Sequence, residues 1–506
     1  MSNLRGGLVA AAAAFLLLPS CAPRSPSHTR DLAALDSVTS GIMKLPVTTA
    51  SADARNHFLQ GQRELDLGRG FEANAHFKEA VAADSGFALA YLNVGNTGNS
   101  LGEFKTNLEL AERYAAAASD AERILIQISR KGVDNDVNGQ LALAQQLVAA
   151  NPESPRAYLV LAGVQGTLNR NADARASMLK AVGLAPRLLV AHTDLGNSYL
   201  NGEPKDFAKA LEHMQHAEAL APNEPYMHDL LGDVYRAQNN LDQARAEYTR
   251  GHELNPTAAS LLQQRGHVNS FAGNYAAARA DYDSAIALGR GNEKAGYVPF
   301  RAYVGIHAGE PKEAIAELNR LVAGVDAMGV PGARGVKIGA LSDIAAIGIH
   351  TRDFAAADEA LKQRTPLLMQ QADEVGSAAF RRGQEANVAY FDAWLAARRG
   401  DYAAAQRATD RVATLVAPDA NPRKLEPMHE LMGYIALYQR NFREAAAHFA
   451  QGNHRNDPYI KYQYAVALEG AGERDKAKRL FRELAVYNFN SVGYALIRKD
   501  AQQKAS

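Results

Sequence analysis

Cysteine is almost missing. The 506-residue chain has one, Cys21, so no disulfide can close within it. Tryptophan is equally scarce, with Trp394 alone. Aromatic residues make up 7% of the chain although hydrophobic residues make up 47%. Alanine fills the gap, and alanine suits close-packed helices better than a sheet. Charge of one sign is missing too: Lys+Arg and Asp+Glu are both 55. No basic excess points to nucleic acid and no acidic run points to disorder. The motifs of several enzyme classes are absent. There is no H-E-x-x-H and no cysteine pair, and Val336 before Lys337 breaks any P-loop among the glycines at 329–339. No catalytic constellation emerges, so neither an enzyme nor a cofactor is expected.

What is present begins at the N-terminus. Arg5 precedes an apolar run from Leu8 to Leu18, which reads as a secretory signal over residues 1–20, too short to span a membrane. Leu18-Pro19-Ser20-Cys21 resembles the bacterial lipobox, with Leu18 and Ser20 matching and Pro19 departing from it. The resemblance implies that Cys21 becomes the lipidated first residue of the mature protein, against the alternative of a cleaved signal with a stray cysteine. Ala22 in place of aspartate implies the outer membrane, by the sorting rule of enteric bacteria. Residues 21–50 read as the lipidated cysteine and a tether rich in Pro, Ser and Thr, with room for a short helix from Asp31 to Lys44.

Beyond Ser51, a placed N-cap, small residues recur. Gly61, Gly95, a residue at or near Ser129, Ala162, Gly196, Gly232, Gly266 and Ala302 follow one another at close to 34-residue intervals. Twelve residues on stands a second small residue, as at Ala73, Ala174, Ala244, Ala278 and Ala314. Sixteen on stands a larger one, as at Phe77, Met178, Tyr248, Tyr282 and Leu318. Two extra residues near Gly202-Glu203-Pro204 shift the Gly196 partners to Ala210 and Met214. Pro152, Pro186, Pro222 and Pro256 close successive units. Two antiparallel helices approach closely only where a residue on each is small, so Gly232 is expected to face Ala244, with Tyr235 and Tyr248 beside the contact. After Ala302 the phase loosens: Ala345, Ala393, Gly433 and Ala465 pair with Ala357, Ala405, Ala445 and Ala477, at steps of up to 48 residues.

This phased series resembles the tetratricopeptide repeat. The resemblance implies an all-α, right-handed superhelical solenoid of about twelve helix-turn-helix units, in which each unit touches only its neighbours. A regular array is expected over 51–325, a longer-period array over 326–485 with the seam near Gly329-Val330-Pro331-Gly332, and a solvated C-terminal capping helix over 486–506. The resemblance also places the fifth and ninth residues of each first helix on a concave groove. There the first half offers polar residues, among them Asn197, Asp233 and His267. The second half offers Tyr303, Tyr390, Trp394, Tyr434 and Tyr462. Such rings either anchor a partner or pack between helices. Asn93 and Asn96 echo the carboxylate-clamp subfamily, but Phe58 and Gln62 stand where its lysine and asparagine belong.

Three local motifs remain. Gly98-Asn99-Ser100-Leu101-Gly102 matches the hydrolase elbow, which needs a preceding strand that the repeat phase does not allow. Asp134, Asp136 and Asn138 match the first half of a calcium loop, but Gln145 replaces its bidentate glutamate, leaving weak calcium binding or a polar turn. His213 and His216 lie three apart on a helix, short of the third ligand a zinc site needs. The sequence thus predicts a lipid-anchored envelope scaffold that holds a protein or peptide segment in its groove. The alternative is a glycan- or nutrient-binding outer-membrane lipoprotein.

Overall fold

The computed structural model describes residues 45–506. Met1–Ser20, Cys21 and the Asp31–Lys44 helix expected from the sequence lie outside the described residues. Among those described, helices follow one another in twelve pairs with no strand. The first helices of pairs one to six are Ala52–Asp66, Ala88–Asn96, Asp120–Val133, Pro155–Thr167, Leu189–Asn201 and Pro225–Ala237. Their second helices are Gly70–Ala83, Leu101–Tyr114, Val137–Ala150, Asn171–Leu184, Phe207–Leu220 and Leu241–Leu254. Pairs seven to twelve open with Ala259–Phe271, Val298–Ala308, Ala333–Thr351, Ala378–Arg399, Glu426–Tyr438 and Pro458–Gly470. They close with Tyr275–Leu288, Pro311–Gly324, Phe354–Val375, Tyr402–Val416, Phe442–Phe449 and Arg474–Ala485, and Val492–Ala505 follows as a last helix. No described helix is long and apolar enough to cross a membrane.

Small residues set the pairs, as the repeat phase requires. A Cβ on Gly61 would come within 2.7 Å of Phe77, one on Gly266 within 2.9 Å of Tyr282, and one on Gly433 within 2.7 Å of Phe449. The ring sixteen residues on, rather than the alanine at twelve, therefore lies over the glycine. At Gly232 that ring is Tyr248, fully buried, while Tyr235 stays half-buried. A second marker fixes the register. Seven residues after the small position the chain turns through positive φ, at Gly68, Asn169, Asn239, Gly273, Gly309, Arg352, Gly400, Arg440 and Gly472. Glycine and asparagine suit that left-handed turn. In pair three the turn falls on Asn135 (φ 53°), which puts Ile128, not Ser129, at the small position. The sizes are reversed there: Ile128 is large, and the residue sixteen on is Ala144, fully buried.

The described residues divide into two compact units, 45–265 and 266–506. The boundary falls inside the helix Ala259–Phe271, whereas the longer helices begin only at Ala333, beyond the left-handed turn at Gly329. Within the first unit, pair one does not touch only its sequence neighbour. Asp66, at the end of the first helix, is ion-paired with Arg156 of pair four, the two side chains being 2% and 12% exposed. Arg69 bridges Glu64 and Glu224, and a Cβ on Gly68 would meet the Tyr226 ring at 2.8 Å. Helical arrays curve, and here the curvature returns pair one to pairs four and six.

The second unit closes on itself by another route. The last helix is not a solvated cap: Tyr494, Ile497 and Ala501 are fully buried. It lies against the first helices of pairs eight, nine and twelve as well as against Arg474–Ala485. Arg498 donates to the carbonyl of Phe271 at 3.1 Å. Asn490, just before the helix, lies 3.0 Å from His267 Nδ1 and donates to Tyr282 Oη at 3.3 Å.

Candidate groove site

In this architecture a partner surface is the face made by successive first helices, so each residue expected on that face can be located. Trp394 is fully buried. Its indole stacks on Tyr434 at 5.6 Å between ring centroids and meets Tyr459 edge-on at 5.6 Å. Tyr390 and Tyr434 are also fully buried, and Tyr390 Oη donates to Glu430 at 2.9 Å. Burial pushes the Glu430 carboxyl above its ordinary range. Tyr303 is buried and donates to Asp343 at 2.7 Å. Tyr462 is half-buried and hydrogen-bonded to Asp500 of the last helix. The expected aromatic anchors are therefore core. The register placed them on the inward face, but that face is covered by the closure of the unit, which a linear repeat pattern does not encode.

The polar residues fare similarly. His267 is buried, its Nδ1 2.6 Å from Tyr282 Oη. Asp233 accepts from Tyr248 Oη at 2.6 Å and Gln264 at 3.1 Å and pairs with Arg236 at 2.7 Å. Asn197 stays half-buried. Close by, Asp194 has its pKa pushed up to about 7, by desolvation first and by the neighbouring Asp66 second, with Arg156 opposing. In the second unit His307 and His350 are both driven down to about 4 by burial, beside Arg498 and Arg398 respectively.

The local motifs resolve into repeat chemistry. Ser100 is the N-cap of Leu101–Tyr114 and accepts from Glu103 N–H at 3.1 Å, so it is no hydrolase elbow. Asn135 is the left-handed turn, and Asp136 caps Val137–Ala150 by accepting from Gly139 N–H at 2.8 Å. Asp136 also pairs with Lys131 at 2.9 Å, and with Asp134 closing the preceding helix the segment forms the turn of a pair. The C-terminal helix expected over 486–506 is present as Val492–Ala505, but it is buried at Tyr494, Ile497 and Ala501 rather than solvated. The signal for that burial was present in Tyr494 and Ile497, apolar residues at helical spacing on one face.

Fold and face together define a class: an all-α array of tetratricopeptide-type helix pairs. Residues 140–188 match the family model described as tetratricopeptide repeat. Protein O-mannosyl-transferase TMTC1 of Mus musculus is 27% identical over 204 residues, covering 40% of this chain and 21% of that protein. Anaphase-promoting complex subunit 3 of Schizosaccharomyces pombe is 25% identical over 187 residues, covering 36% of this chain and 27% of that one. The chain thus spans only about a fifth to a quarter of the curated relatives it matches. Among solved structures, the APC/C hetero-tetramer Cut9-Hcn1 aligns over 88% of this chain and 76% of its own, at 15% identity and a TM-score of 0.41.

Proposed function

We propose that the chain is a lipid-anchored cell-envelope scaffold that binds a helical protein segment on the face built by its first helices and organises an assembly. The observation that carries this reading is the last helix. In the second unit that face already holds a helix of the chain itself, through the apolar side of Tyr494, Ile497 and Ala501 and the polar anchors Asn490 and Arg498. A surface that accepts one amphipathic helix offers the chemistry for another, the helix-in-groove mode of recognition. The anchor rests on Leu18-Pro19-Ser20-Cys21. Several acyl chains would hold stably where one binds only marginally. Ala22 in place of aspartate supports the outer membrane, by the sorting rule of enteric bacteria.

The reading contains no reaction, and the mannosyl-transferase name belongs to the relative that carries it. Aromatic rings open to a groove would suit a sugar face, and the burial of Trp394 and Tyr434 gives the glycan-binding alternative no such rings there. The test has two arms. Cys21→Ser should move the protein from the membrane to the soluble envelope fraction, and fractionation unchanged from the parent would end the anchor. A photo-crosslinker at Asn197 should trap one defined protein in intact cells, and a glycan product instead would favour the alternative.

A further inference from the structure

The histidines are not scattered. Four residues before the small residue of its first helix, a histidine stands in pairs one, five, six and eleven: His57, His192, His228 and His429. Opposite each, at the equivalent place on the second helix, stand His76, His213, Glu247 and His448. The partners meet in every case. His192 Nδ1 lies 3.4 Å from His213 Nδ1, His429 Nδ1 3.2 Å from His448 Nδ1, and His228 Nδ1 2.8 Å from Glu247 Oε2. In two pairs a third donor follows one turn later on the second helix: Glu79 after His76, and His216 after His213. His192 packs against both His213 and His216, its ring centroid 5.6 Å and 5.4 Å from theirs, but among the described residues only in pair one do three donor atoms converge.

Pair one is the most complete. Glu79 Oε2 lies 2.9 Å from His57 Nδ1 and 3.0 Å from His76 Nδ1, and one donor atom of each residue lies within 4.8 Å of the others. His57 Nδ1 is buried and makes no hydrogen bond despite that approach. Ligand atoms held about 2.0–2.1 Å from a tetrahedral zinc ion stand roughly 3.3 Å apart, which is the separation these nitrogens and oxygens already approach. Two imidazoles and one carboxylate suit Zn2+ and its neighbours rather than Ca2+ or Mg2+. The Glu79 side chain is 53% exposed, so an ion can enter and a water can complete the fourth position.

We propose that His57, His76 and Glu79 form a zinc site that clamps the two helices of pair one. Binding requires neutral imidazoles and an ionised carboxylate, so it releases any proton shared among them. The site stands independently of any partner on the groove.

The test uses the full chain stripped with a chelator. Calorimetry with Zn2+ should give one equivalent, and Co2+ should develop the visible absorption of a tetrahedral complex. His57→Ala, or separately His76→Gln, should weaken that equivalent at least tenfold and abolish the Zn2+-dependent rise in Tm, whereas His213→Ala with His216→Ala should leave it in place. Circular dichroism should be unchanged throughout. Zinc affinity unaffected by both pair-one variants, or an octahedral Co2+ spectrum in the parent, would overturn the proposal.

Discussion

The two compact units solve one problem with different chemistry. Each is a run of helix pairs whose curvature brings non-neighbouring pairs together, and each must seal the contact. The first unit seals it with charge: Asp66 with Arg156, and Arg69 with Glu64 and Glu224. The second seals it with rings and a borrowed helix: Trp394 against both Tyr434 and Tyr459, and Val492–Ala505 laid across the first helices. A repeat pattern with one backbone rule therefore leaves the long-range closure free to vary. The closure, not the repeat, decides which residues of the inward face remain available.

The comparison can be broken most forcefully at its buried partners. Arg156→Ala leaves the Asp66 carboxylate buried without its partner, a loss of about 3–5 kcal/mol, and chemical denaturation should show it in the transition of the first unit. Trp394→Ala removes the largest side chain of the second unit's core at a similar cost of about 3–5 kcal/mol, seen in the other transition. If either substitution lowered both transitions equally, the division into two separately closed units would fail.

A smaller effect tests the pairing rule common to both. Gly232→Ala drives a Cβ into the Tyr248 ring and should cost on the order of 1–3 kcal/mol. Gly166 has nothing within 4 Å of an added Cβ, so Gly166→Ala should instead gain about 0.5–1 kcal/mol of helix propensity. Thermal melts of the two variants should move in opposite directions.

The smallest effect sharpens the contrast through pH. Asp194 is raised to about 7, so the folded first unit binds the proton more tightly than the unfolded chain. Its contribution is present below the ordinary carboxylate pKa of about 4 and is lost as pH rises toward 7. His307 and His350 are depressed to about 4, so the folded second unit binds their protons less tightly. Their contribution is present above the ordinary histidine pKa of about 6.5 and is lost as pH falls toward 4. Between pH 4 and 6.5 the two units should respond with opposite slopes. Asp194→Asn should flatten the first slope and leave the second, as two-transition melts across that range will register.

Much of this was legible in the chain. The small residues at Gly61, Gly232, Gly266 and Gly433 locate the pairs because close helix approach admits little else. Pair three misleads by one residue because Ile128 and Ala144 exchange sizes, and only the left-handed Asn135 reveals it. The aromatic residues were placed in the right column but at the wrong depth. Tyr390, Trp394 and Tyr434 share a face by periodicity, yet whether that face meets solvent depends on curvature summed over several pairs. The charges of the last helix, Arg498, Lys499 and Lys504, argue for a solvated helix, whereas Tyr494 and Ile497 form its buried face. Asp66 and Arg156, ninety residues apart, carry no local signal that they pair.

Trp394 is the sole indole, so its fluorescence reads the central claim, that the inward face of the second unit is closed core, without interference. In the native full-length protein, iodide should leave its emission almost unquenched, and the spectrum should be that of an apolar environment, shifting only when the second unit unfolds. Quenching in the native state close to that of a free indole would place Trp394 in an open groove and contradict the account.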